Sequence, residues 1–130
     1  MKTKFFLTSL LVLLLTCSKN FGQQSDSTKI EFETLTHDYG VIEQGSDGNY
    51  VFKFKNIGNK PLVISNVRSS CGCTVPSYPK EPIPPGGTGE IKVTYNTNIL
   101  GKFSKSITVY ANAPIVVLRI QGEVKPKESK

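Results

Sequence analysis

Apolar and polar residues alternate along most of this chain. In "NYVFKFKN", Tyr50, Phe52 and Phe54 share one face, while Val51, Lys53 and Lys55 share the other. "GEIKVTYN" sets Ile91, Val93 and Tyr95 against Glu90, Lys92 and Thr94. "VVLRIQGEV" points Val116, Leu118 and Ile120 inward, with Arg119 and Gln121 outward. A period of two over such lengths predicts half-buried antiparallel strands. Further strands are expected over residues 30–36, 61–68 and 103–110, with a short one around 41–42.

Turn chemistry separates these runs. "NIGNKP" carries Gly58 and Asn59, which tolerate positive φ. "EPIPPGG" holds three prolines, which remove ladder donors and fix φ, so it is expected to be irregular. "NILG" and "NAP" supply the remaining turns, and no window has a helical period. Short strands with turns spaced by about 8–12 residues point to an all-β, immunoglobulin-like antiparallel two-sheet sandwich of about seven strands. The chain has no Trp, so the Cys–Trp–Cys core of antibody domains is absent.

The first residues follow a different rule. Lys2 and Lys4 precede an apolar run from Phe5 to Leu15, interrupted only by Thr8 and Ser9. That is the length of a signal-peptide core and too short for a spanning helix. The expected organisation is a signal peptide at 1–22, a flexible segment at 23–29, one sandwich domain at 30–124 and a charged tail at 125–130. Cleavage after Gly22 would release a periplasmic or secreted protein. The competing reading takes "LLTC" as a lipobox, with Cys17 as the lipid-bearing residue and the protein anchored in the cell envelope. Membrane attachment is expected only in that case.

Charge then narrows the partners. The formal net charge is +6. Residues 1–22 hold Lys2, Lys4 and Lys19 and no acid, so 13 basic and 10 acidic residues remain beyond them. The lysines are spread over alternating stretches, which reads as a solvated surface. A nucleic-acid footprint would be a clustered basic stripe, so no nucleic-acid partner is expected.

The candidate chemistry sits in "SSCGCTVP". Export would place Cys71 and Cys73 where disulfides persist. In an extended strand, residues i and i+2 lie about 6.6 Å apart with side chains on one face. A disulfide prefers a Cα separation of about 5.5–6 Å, so a bend at Gly72 would be required. Three readings stay open: a packed pair or local structural disulfide, a reducible redox pair, or a two-thiolate copper site. A zinc site would need Cys71, Cys73, His37 and a carboxylate such as Asp38 to converge. Thiol catalysis would need a base, and His37 is the chain's one histidine. "PPGGTG" lacks the Lys-Ser/Thr of a phosphate loop, and Phe52, Phe54, Tyr95 and Phe103 read as core. No catalytic residue, cofactor or metal is assigned from the sequence.

"THDYGVIEQG", "FKNIGNKPLVISNVRSSCGCTVPSYPKEPIPPGGTGEIKVTYNT", "GKFSKSITVYANAP" and "LRIQGEV" together resemble one bacterial family. It is the domain-of-unknown-function family fifteen seventy-three, abundant in exported proteins of Bacteroidetes. The likeness runs over about residues 32–124. It implies an immunoglobulin-like sandwich akin to those of cilium and centrosome proteins and pilus chaperones. It marks Cys71, Gly72, Cys73, Pro85 and Gly86 as motif positions and implies no activity. Phe is frequent in the family where Tyr39 stands, a change expected to leave the fold intact. The resulting expectation is a non-enzymatic envelope domain that binds another envelope protein or polymer. The alternative is a periplasmic thiol-redox or copper-binding protein using Cys71 and Cys73.

Overall fold

The computed structural model describes residues 27–128. The expected leader, its cleavage point and Cys17 lie outside them. Eight strands form two four-stranded sheets: β1 (Ile30–Phe32), β2 (Thr36–Glu43), β3 (Asn49–Asn56), β4 (Ile64–Ser69), β5 (Thr74–Ser77), β6 (Thr88–Tyr95), β7 (Gly101–Ala111) and β8 (Val116–Lys125). One sheet has the order β1-β3-β6-β5, and the other β2-β8-β7-β4. The protein is thus an all-β, immunoglobulin-like sandwich, as the alternation predicts.

The inward faces are those the sequence marks. Phe52, Phe54, Ile91, Val93 and Tyr95 from one sheet meet Phe103, Ile107, Val109, Leu118 and Ile120 from the other, all buried. Burying each such side chain contributes about 1.5–3 kcal/mol before entropy is charged against it. Tyr95 and Phe103 stack across the two layers at 3.8 Å.

Three expectations change. The short strand foreseen near residues 41–42 is an eight-residue strand beginning at Thr36, and it pairs parallel with β8. The strand foreseen over 30–36 ends at Phe32 because the chain changes sheets there. Glu33 N–H still bonds Lys53 C=O of the first sheet, while Leu35 C=O already accepts Arg119 N–H of the second. The strand foreseen over 61–68 starts at Ile64, with Leu62 forming an isolated bridge to Ile83. β5 follows directly on Cys73, where no strand is foreseen from the alternation.

The two turn motifs lock onto each other. Asn56 is fully buried and its Nδ2 donates to the carbonyls of Lys60 and Ile83, at 2.8 and 2.9 Å. Its Oδ1 accepts Gly58 N–H, and its backbone exchanges bonds with Gly86 and Gly87. Residues 84–87 make a type II turn, with Gly87 N–H bonding Pro84 C=O and Gly86 at φ 81°, the position that needs glycine. Gly58 is required for another reason: a Cβ there would stand 2.3 Å from the Ser27 carbonyl oxygen. Ser27 and Lys29 bond Asn59 and Ile57 as the N-terminal arm crosses it.

Candidate functional site

The segment from Ser70 to Cys73 carries the chain from β4, an edge of one sheet, to β5, an edge of the other. Cys71 and Cys73 form a disulfide across it, with Cα atoms 5.4 Å apart. The sequence named both residues, and the structure brings them together. The bend does not use glycine as expected. Gly72 is not among the positive-φ glycines, and a Cβ built there meets nothing within 4 Å. An ordinary turn closes the separation, so no left-handed residue is needed.

Each end of the crossover is held by its own sheet. Ser70 N–H donates to Ser106 C=O at 2.9 Å, and Ser70 Oγ accepts Ser106 N–H at 3.1 Å. Asn96 N–H donates to Cys73 C=O at 2.8 Å. Thr74, the next residue, is buried and pairs with Tyr95. Cys71 and Cys73 are both partly exposed. Cys73 packs one side on the core, and its N–H points at Cys71 Sγ, 3.3 Å away.

Beside Cys73 opens a cavity of about 560 Å³ with polar walls, including Asp47, Asn49, Thr94, Asn96 and Asn98. Thr94 Oγ1 donates to Asn49 Oδ1 at 2.6 Å, and Asn49 and Asn98 N–H groups bond Asp47 and Asn96 side chains. Sequence reasoning missed this cavity because three separate segments build it.

His37 stands elsewhere. β2 and β4 are opposite edges of their sheet, so His37 is not beside the sulfurs. Its ring stacks on Tyr50 at 3.6 Å and meets Tyr39 edge-on at 4.6 Å. Burial lowers its pKa, partly opposed by the Asp38 charge. Gly40 N–H and the Gln121 side chain hold the Asp38 carboxyl below its ordinary pKa. Tyr39 Oη donates to Gly48 C=O at 2.7 Å. Burial, with the Asp47 charge adding to it, pushes that phenol up to about 12. The four-donor zinc arrangement weighed from sequence is therefore not assembled. Among the described residues no three His, Cys, Asp or Glu side chains group to hold a metal.

Two surface features complete the picture. A groove of about 880 Å³ runs over the outer face of the β1-β3-β6-β5 sheet, with Glu31, Lys53, Lys55 and Glu90 in its walls. The register sets Glu31 opposite Lys55, and Lys53 opposite Glu90. The second feature is an open edge. β1 pairs β3 only at Phe54, Lys55 and Asn56, so residues 49–52 have β6 on one side and no strand on the other among the described residues.

Residues 30–124 match the family model described as "Protein of unknown function (DUF1573)". No curated protein sequence matches the chain. A protein of unknown function from Porphyromonas gingivalis W83 superposes with a TM-score of 0.68 at 18% identity, covering 80% of this chain and 51% of that one. The chain thus spans about half the length of that protein. The ASH/PapD-like domain 7 of human CEP192 gives 0.64 at 12% identity, covering 94% and 99%. The CsuC–CsuE chaperone–tip adhesion subunit complex of Acinetobacter baumannii gives 0.55 at 13%, covering 76% and 57%. At these identities the likeness is one of fold.

Proposed function

The chain belongs to the family of proteins of unknown function DUF1573, and we propose that it serves as a non-enzymatic interaction module of the cell envelope. The observation that carries this reading is the open edge at residues 49–52 of β3. Unpaired strand edges recruit strands, and native sheets usually blunt them. The outer edge of β1 is three residues long, and the remaining three edges of this sandwich are blunted. Pro76 interrupts β5, a register shift near Ser65 interrupts β4, and one around Gly40 interrupts β2. β3 keeps a continuous register with β6 and has no proline. An extended segment of an envelope protein would add there, end to end with β1.

The N-terminal leader sends the protein out of the cytoplasm in this reading. It is released after Gly22 or, if Cys17 is lipidated, held at the membrane. Structures of pilus assembly chaperones are among those that share its fold, which supports strand capture by analogy only.

A photo-reactive residue replacing Val51 tests the reading, with the same residue at Lys127 as control. Irradiation in envelope extract should give an adduct with one partner at position 51 alone. Absence of an adduct above the Lys127 level would overturn the assignment of this edge.

A further inference from the structure

We propose that Cys71–Cys73 is a thiol–disulfide exchange site, which a dithiol reductant opens and recloses while the sandwich stays folded. The first argument is what the bond does not hold. It spans one residue, so closing it removes little chain entropy from the unfolded state. The crossover is already anchored to both sheets by the Ser70–Ser106 and Asn96–Cys73 backbone bonds. Reduction therefore leaves β4 and β5 in place.

The second argument is access. Both cysteines are partly exposed, and the space a Gly72 side chain would fill is open. The cavity of about 560 Å³ reaches Cys73 from the β6 side and is large enough for a thiol-bearing peptide side chain or glutathione cysteine. The third argument is stabilisation of the leaving sulfur. Cys73 N–H points at Cys71 Sγ at 3.3 Å, a donor that favours thiolate over thiol.

These fix the direction of exchange. A reductant thiolate entering by the cavity attacks Cys73 Sγ. The Cys71–Cys73 bond breaks, and its electron pair leaves on Cys71 Sγ, which takes up a proton from solvent. The second thiol of the reductant, as thiolate, then attacks its own sulfur in the mixed disulfide. Cys73 departs as thiolate and is protonated. Two electrons pass to the pair, the reductant becomes a disulfide, and the reverse sequence reoxidises the site. No histidine or carboxylate is needed as base, which agrees with His37 lying on the far edge.

The test is to equilibrate the purified protein with reduced and oxidised glutathione in graded ratios, alkylate, and read intact mass and peptide maps. Two alkyl groups should replace the disulfide within a range of up to about 10 mM reduced glutathione. Far-UV circular dichroism should not change across that range. Glutathione trapped at short times should sit on Cys73, with the alkyl group on Cys71. The C71S/C73S double variant should keep a cooperative unfolding transition. A disulfide that survives about 10 mM reduced glutathione in the folded protein would overturn the proposal. So would loss of folding on reduction or in the double variant, since the bond would then be structural. An adduct found on Cys71 instead would overturn the assigned direction of attack.

Discussion

Asn56 shows how much one side chain can organise. It is buried, uncharged and fully satisfied, donating twice through Nδ2 and accepting once through Oδ1. Asn56→Asp would turn a carboxylate toward the Lys60 and Ile83 carbonyls, which offer no donor. A loss of about 3 kcal/mol or more is expected, read as a lower urea midpoint with an unchanged slope. Tyr39 adds a hydrogen bond to its ring packing. A phenylalanine there keeps the ring but removes one of two donors to the Gly48 carbonyl, which still accepts Tyr95 N–H at 2.9 Å. Tyr39→Phe should therefore cost about 1 kcal/mol in the same assay and leave the fold intact. With its pKa pushed up to about 12, the phenol remains a donor throughout the neutral range.

At the scale of elements, the strands read most clearly from sequence are those with one fully buried face. β3, β6, β7 and β8 are central in their sheets, so their inward positions are all apolar or nearly so. β5 escaped notice because it is four residues long, contains Pro76 and begins directly after Cys73. β2 was foreseen only in its second half. Its first half carries Thr36 and Asp38 outward and His37 inward, a pattern with little apolar signal, and pairing with β8 supplies what propensity does not. The cysteine pair was legible, but the cavity beside it was not, since register and not spacing brings residues 45–49, 72–75 and 94–98 together. The arm at residues 27–29 depends on Gly58. Gly58→Ala should displace it and cost about 1–3 kcal/mol, with faster hydrogen exchange at Ile57 and Asn59, whose amides bond Lys29 and Ser27.

For the whole molecule, His37 links the two sheets and makes their association sensitive to acid. Its pKa in the folded protein lies below the ordinary 6.5, mainly through burial against Tyr50 and Tyr39. The unfolded chain therefore binds the proton first as pH falls. Stability contributed here is complete above about pH 7 and declines as pH drops through 6.5 toward the lower folded value. The melting midpoint should fall over that window, and His37→Gln should flatten the fall. Asp38 titrates in a separate, more acidic window. Its folded pKa is also lowered, from 3.8, so its contribution is present above that value and is lost below it.

The parallel pairing of β2 with β8 also governs when this protein can become itself. Asp38 and Gln121, partners across that ladder, are 83 residues apart in the chain. A contact of such range cannot form until β8 is available, and topologies of this kind fold in roughly milliseconds to seconds. During synthesis the nascent chain keeps β2 waiting for its neighbour, so it emerges from the ribosome unable to close its second sheet. A chain ending after Ala113 should show no cooperative thermal transition, while one ending at Lys125 should show the full one. A domain whose second sheet waits for β8 stays threadable through a narrow channel until that strand has been made.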